Sequence, residues 1–317
     1  MTVLPARPDG AETTPVSSFA ALPARADNAA RRKPGGRMHF LDWGGSGRPP
    51  LVFVHANGLN ARTYRQMLTP LAKRFRVIAP DLRGHGLSEL PARPGPDHSW
   101  DIYVRDLIAF LEPHGPVLLG GHSMGGAVSL MTAAARPDLV RGLAIAEPVI
   151  LPPAFYWLMR LRRTLGWRGH VYPIARNAAR RRAVWPSARA VFRAYRGRGA
   201  FRNWPREALE DYIAHGVRPR ADGQVELACA PEWEAENFSA HCSRLWRHLS
   251  EVSCPVRVWC GTERSTFMPA ARGRFRRVLP RARIEAIEGA GHFLPIEQPK
   301  ILREGIIALQ EELASGH

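Results

Sequence analysis

Residues 117–127 read VLLGGHSMGGA, with one serine, Ser123, between glycine pairs where an apolar run gives way to an alanine-rich stretch. A serine hydroxyl is a weak nucleophile at neutral pH and attacks a carbonyl carbon only with a base within hydrogen-bond reach. The run Gly121-His122-Ser123-Met124-Gly125 fits G-x-S-x-G, a sharp strand-to-helix turn that lifts the hydroxyl out of the sheet. Gly121 and Gly125 let strand and helix pass closely, and the helix N-terminus favours developing negative charge. The base selected by position is His292, in GAGHFLP, a glycine loop that follows the last predicted strand and precedes a helix. A tetrahedral intermediate needs two backbone N–H donors for its oxyanion. Met124, next to the serine, supplies one, and Asn57 in HANGLN is the candidate for the other, although Asn-Gly also suits an ordinary turn. The loop DLRGHGLSE (81–89) carries Arg83, His85 and Ser88, which read as side chains that order the loop.

The elements that must position these residues follow from periodicity. PLVFVHANG (50–58), RFRVIAPDLRGHG (74–86), PVLLGG (116–121) and GLAIAEPVI (142–150) are short apolar runs ending in polar or glycine-rich turns. Amphipathic stretches separate them, over 60–74 and 98–115. Strands alternating with helices predict a parallel sheet covered on both faces. The alternation stops near 150 and resumes at CPVRVWCG (254–261), followed by RIEAIEG (283–289) and a final helix. Residues 151–245 between them are Trp- and Arg-rich, interrupted by prolines and mostly helical in pattern. The predicted organisation is an N-terminal flexible tail over 1–35, a sheet domain over 36–150 and 246–317, and a helical cap over 151–245.

A chain of 317 residues with 45% hydrophobic content supports a packed core and excludes global disorder. The N-terminus has no apolar segment of the kind a secretory signal carries, and no apolar run approaches the roughly 20 residues that span a bilayer. Cys229, Cys242, Cys254 and Cys260 form no C-x-x-C pair and no zinc-like pattern with a histidine, and read as reduced thiols, which points to the cytoplasm. Net charge is +17, and Leu151–Arg220 alone holds 16 arginines, no lysine and three acids. An anionic membrane surface or an acidic substrate fits this surplus, while nucleic acid is not expected; Arg replaces Lys almost throughout, so part of it is compositional. Tyr156, Trp157, Trp167, Tyr172, Trp185, Phe192 and Tyr195 read as the apolar underside of the cap, lining an acyl pocket.

HANG, DLRGHGLS, GHSMGG and GAGHFLPIEQP, in this order and spacing, resemble the α/β-hydrolase superfamily over roughly residues 36–315. The resemblance implies an α/β fold with a mostly parallel eight-stranded sheet, these motifs following strands 3, 4, 5 and 8, and a helical cap inserted after strand 6. It implies Ser123 as nucleophile, His292 as base, the Asn57 and Met124 amides as oxyanion hole, and no metal or organic cofactor. The chain departs from the family at the acid. An Asp usually lies three residues after the glycine that ends strand 7, and CGTERSTF puts Arg264 there. Two glutamates are candidates. Glu147 ends the apolar run GLAIAE, at the strand-6 position where some haloalkane dehalogenases carry their acid, and Glu263 is adjacent to Arg264. Glu147 is taken as the acid, with Glu263 as the alternative. Dehalogenases and soluble epoxide hydrolases use Asp as nucleophile, where this chain has Ser. The function implied is hydrolysis of an ester or related acyl bond of a small apolar or partly anionic substrate through an acyl-serine. Acyltransferase, haloperoxidase and carbon–carbon hydrolase chemistry share the triad. A membrane- or polyanion-binding protein with weak or no catalysis is the alternative from another class.

Overall fold

The computed structural model describes residues 14–23, 25–27, 31–33, 35–93, 98–165, 172–240 and 245–315. Its main sheet has eight strands: β1 (Val16–Leu22), β2 (Gly36–Asp42), β3 (Pro50–Val54), β4 (Arg76–Pro80), β5 (Val117–His122), β6 (Val140–Ala146), β7 (Val256–Gly261) and β8 (Arg283–Ile287). They lie in the order β1-β2-β4-β3-β5-β6-β7-β8. From β4 to β8 all neighbours are parallel, and β2 runs antiparallel to both β1 and β4. Strand order reverses around β3 and β5, and open sheets of this kind place their sites at the carboxyl ends of the strands nearby. The helices outside the stretch between β6 and β7 are α1 (Arg65–Leu68), α2 (Asp101–Leu111) and α3 (Met124–Ala135) before it. Within it lie α4 (Pro153–Thr164), α5 (Pro173–Ala179), α6 (Ala188–Tyr195), α7 (Arg206–Gly216), α8 (Pro231–Ser239) and α9 (Leu245–Leu249), and after it α10 (Pro269–Val278), α11 (Leu294–Glu297) and α12 (Pro299–Ser315).

All six residues of β5 are buried, as a central parallel strand covered on both faces requires. Successive side chains enter opposite layers. Leu119, Val52 and Val54 join the apolar cluster under α2 and α3, while Leu118, Leu51 and Phe53 join the cluster under α1 and α12.

The flexible tail expected over 1–35 is corrected by the structure. Residues 16–22 form β1, paired from Val16 opposite Asp42 to Leu22 opposite Gly36. The alternation is written mainly in small residues. Val16, Ser18, Ala20 and Leu22 turn inward while Ser17, Phe19 and Ala21 face outward, so the larger inward side chains stand only at the two ends of the strand and its one aromatic lies on the other face. Its backbone pairing with β2 holds it, and Phe19 packs against His39 and under the Arg37 guanidinium. Arg25–Asp27 and Arg31–Lys33 pair as a separate antiparallel ribbon, and residues 1–13 lie outside the described residues.

The insertion between β6 and β7 holds more than helices. Val217–Pro219, Val225–Leu227 and Val184–Trp185 make a three-stranded antiparallel sheet. Strands of two or three residues are too short to show a period. The insertion is tied to the loops after β3 and β4. Arg65 Nε donates to Asp211 Oδ1 (2.8 Å), Asn60 Nδ2 to the Tyr212 carbonyl (2.8 Å), and Arg218 Nη2 to the Gly86 carbonyl (2.7 Å). No helix among the described residues is long and apolar enough to cross a membrane.

Candidate active site

Ser123 stands between β5 and α3 with φ 57° and ψ −118°, a region that L-residues occupy only when their surroundings impose it. Its N–H donates to the Ala146 carbonyl (3.0 Å), and its own carbonyl accepts from Ala127 (3.1 Å) and Val149 (3.3 Å). The flanking glycines are steric necessities. A Cβ on Gly121 would stand 2.5 Å from the Gly125 carbonyl oxygen, and one on Gly125 would collide with the Val54 and His55 carbonyl oxygens. That second contact also shows that the HANGLN loop lies against the first turn of α3.

Three strand ends converge here. The Ser123 hydroxyl is 3.1 Å from His292 Nε2, and His292 Nδ1 is 3.3 Å from Glu147 Oε2. Glu147 directly follows β6, is fully buried and has a positive φ of 46°. Its Oε1 accepts from the Gly261 amide (2.5 Å), and its Oε2 from Ser265 Oγ (3.0 Å) and the Thr266 amide (3.1 Å). Burial opposes ionisation of Glu147. The hydrogen bond and charge of His292, with the donors from Gly261 and Ser265, outweigh it and hold the carboxyl below its usual range. Thr266 Oγ1 lies 3.2 Å from His292 Nδ1 and 3.3 Å from the Glu147 carbonyl, so it braces both. Glu263 is not brought to this group. It is exposed, its amide donates to the Ala290 carbonyl (3.0 Å), and its carboxylate makes no hydrogen bond among the described residues. Arg264 beside it is exposed and, like Ser123 and Glu147, has positive φ (48°).

The Met124 amide is the first of α3 and has no intrahelical acceptor. The Asn57 side chain is fastened outward: its Nδ2 donates to the Glu234 carbonyl (3.0 Å) and its Oδ1 accepts from Asn237 Nδ2 (2.9 Å). Neither the Asn57 nor the Met124 amide has a protein acceptor among the described residues.

Sequence reasoning missed a buried relay that joins this loop to His292. The Ala56 amide donates to Tyr64 Oη (3.1 Å), Tyr64 Oη is 2.7 Å from His122 Nδ1, and His122 Nε2 is 2.7 Å from the His292 carbonyl. A carbonyl only accepts, so Nε2 carries the His122 proton and Tyr64 donates to Nδ1. Burial, reinforced by the neighbouring His292, drives the His122 pKa well below its ordinary value and keeps the ring neutral. His122 is the first x of G-x-S-x-G, but its partner Tyr64 lies 58 residues away and only the fold reveals it.

In the loop after β4, Arg83 Nε donates to Asp106 (2.8 Å), His85 Nδ1 lies 2.9 Å from the Arg83 carbonyl and Ser88 Oγ donates to the Asp81 carbonyl (2.5 Å), contacts that order the loop. Asp81 accepts from the amides of Ala61 (2.7 Å) and Leu87 (2.9 Å), and His39 Nδ1 lies 2.7 Å from its Oδ2. His39, Asp81 and His215 bring ligand-type atoms within 4.8 Å of one another, the one such trio among the described residues. Asp81 is committed to two amides and His39 Nε2 to Ser17 (2.5 Å), so the trio reads as a structural joint.

An aromatic wall leads from His292 into the insertion. Phe293 packs on His292 (5.3 Å between centroids) and on Trp204 (5.3 Å), and Trp204 reaches Phe201 (4.8 Å) and Tyr212 (6.0 Å). Tyr195 stacks on Phe201 at 4.7 Å. Arg181 sits at its far end, donating to Tyr195 (3.0 Å) and Tyr212 (3.2 Å) and paired with Glu234. Of the aromatics expected to line a pocket, Trp157 faces outward and Trp167 lies outside the described residues.

The sheet order, the turn at Ser123 and the convergence of β5, β6 and β8 define an α/β-hydrolase. The chain belongs to the alpha/beta hydrolase family, whose model matches residues 51–304. It is 28% identical over 272 residues to a soluble epoxide hydrolase of Corynebacterium sp. (strain C12), covering 84% of this chain and 91% of that protein. It is 27% identical over 266 residues to a 2-(acetamidomethylene)succinate hydrolase of Mesorhizobium japonicum, covering 83% of this chain and 87% of the relative. The crystal structure of an esterase from Mycobacterium tuberculosis superposes with a TM-score of 0.66 at 21% identity, covering 94% of this chain and 92% of that one, a likeness of fold. The protein is thus an α/β-hydrolase enzyme.

Proposed function

We propose that the protein cleaves a carboxylic ester through an acyl-serine intermediate. The observation that carries this reading is the 3.1 Å approach of Ser123 Oγ to His292 Nε2, with Glu147 behind Nδ1. His292 Nε2 takes the hydroxyl proton as Ser123 Oγ bonds to the carbonyl carbon. The carbonyl oxygen becomes an oxyanion facing the Asn57 and Met124 amides. Collapse expels the alcohol, which leaves with the proton from His292. Water then attacks the acyl-serine, His292 acting again as base, and the carboxylic acid departs. Glu147 holds the Nδ1 proton in place and offsets the imidazolium charge without itself taking the proton. The turn carries a hydroxyl, and an ester is the simplest acyl group that a hydroxyl nucleophile with an adjacent base opens.

A panel of p-nitrophenyl esters of increasing chain length, run on the wild type and Ser123→Ala, tests this reading. Turnover that disappears in Ser123→Ala, together with fluorophosphonate labelling mapped to Ser123, is the expected result. Labelling that persists in Ser123→Ala sinks it.

A further inference from the structure

Seven large apolar side chains are exposed among the described residues, and five of them belong to one stretch: Trp157 (66%), Leu158 (51%), Leu161 (38%), Leu165 (54%) and Ile174 (54%). At about 100° per residue, positions 157, 158, 161 and 165 fall within a single arc of about 100° on α4 and its last turn, a stripe about 12 Å long. Tyr156, on the other side of α4, is buried and accepts from the Leu151 amide (3.2 Å). The apolar side chains at 157, 158, 161 and 165 are thus turned to solvent, away from the buried Tyr156. Phe155 stacks on Tyr172 (4.9 Å), which brings the start of α5, and Ile174 with it, beside the start of α4. A clustered apolar patch of this kind marks a docking surface.

Charge selects the occupant. Arg176 on α5 and Arg180, the residue that ends it, lie exposed with no acidic partner among the described residues, within a segment whose sequence holds 16 arginines and three acids. A second copy would bring the same cationic surface against itself, whereas an anionic lipid surface neutralises the arginines and receives the apolar stripe. We infer that the exposed face of α4, with the start of α5, docks on an anionic membrane surface. The placement has a chemical consequence. α4 begins six residues after Glu147, and the connecting Val149 amide is bonded to the Ser123 carbonyl (3.3 Å). Docking therefore holds the catalytic edge of the sheet next to the lipid.

Flotation of the whole protein with phosphatidylcholine vesicles, with and without phosphatidylglycerol, tests the inference. It reads binding, not turnover, so its outcome is separate from the role of Ser123. Wild type should float with the phosphatidylglycerol vesicles and stay behind with phosphatidylcholine alone. Trp157→Ser/Leu161→Ser should weaken binding at least about tenfold. Arg176→Gln/Arg180→Gln should weaken it about fivefold per arginine and flatten its salt dependence. Thermal melts check that each variant is folded, and Ile174→Ser, on a different helix, gives an independent reading if the pair is not. No flotation with anionic vesicles overturns the inference, as does flotation that the apolar variants leave intact. A wild-type dimer on gel filtration that Trp157→Ser/Leu161→Ser dissolves also overturns it, assigning the face to a second copy.

Discussion

Two loops at the carboxyl edge of the sheet each offer a glutamate, and they differ in everything but the residue type. Glu147, after β6, is fully buried, holds its backbone at positive φ and receives hydrogen bonds from Gly261, Ser265 and Thr266 as well as facing His292. Glu263, after β7, stands in solvent with no partner for its carboxylate among the described residues. The loop after β7 has kept a part in the site in another form. It contributes the hydroxyls and amides that cradle a carboxylate arriving from β6. The place of an acid is thus set by where donors surround it, because a buried carboxylate stays ionised only with its oxygens satisfied.

Ser123→Ala sets the scale against which the two glutamates are measured. It should reduce ester turnover about a millionfold, to the level left by binding and the oxyanion amides alone. Glu147→Gln should lower kcat about ten-thousandfold while His292 keeps its place, with circular dichroism unchanged. If Glu263→Gln is the crippled variant and Glu147→Gln remains active, the assignment of the acid is reversed. Thr266→Ala removes one brace from His292 Nδ1 and should cost about tenfold in kcat with little change in KM. The ionised state of Glu147 also contributes stability. Its pKa is lowered in the fold, so this contribution is full above the ordinary value of 4.5 and is lost as pH falls through the lower folded value. The melting temperature of wild type should therefore drop more steeply than that of Glu147→Gln between about pH 5 and pH 3. Parallel curves would show that the carboxylate is no better held than a surface one. Glu263→Gln should change kcat by less than about twofold, as an exposed charge without a partner permits.

The strands from β3 to β7 and the loops carrying Ser123 and His292 were legible because a short apolar run gives way to a polar or glycine turn, a local signal. Glu147 was legible for a related reason, since it closes a run too apolar to lie anywhere but inside the sheet. β1 was not, because Ser18 and Ala20 separate its inward Val16 and Leu22 while its one aromatic, Phe19, faces outward, so no continuous apolar run marks it. The Tyr64–His122 relay and the tether of Asn57 to α8 join residues far apart in sequence, and no spacing rule reaches them. One clue was present and unread. CGTERSTF has two small hydroxyl residues just past Arg264, a composition suited to receiving a carboxylate and unable to supply one at the usual place.

The fastening of Asn57 bears on how the enzyme can be re-engineered. Its side chain is gripped by Glu234 and Asn237 of α8, and Asn237 in turn accepts from Tyr103 (2.7 Å) on α2. Insertions between β6 and β7 invite exchange among relatives as a route to new specificity. In this protein such a graft would unmoor the loop whose Asn57 amide has no protein acceptor among the described residues. A transplanted insertion would need an amide side chain at the Asn237 position and a helix carbonyl at the Glu234 position. Without both, a chimera would inherit a new insertion above a slackened Asn57 loop, and its loss of rate would be misread as poor fit of the substrate.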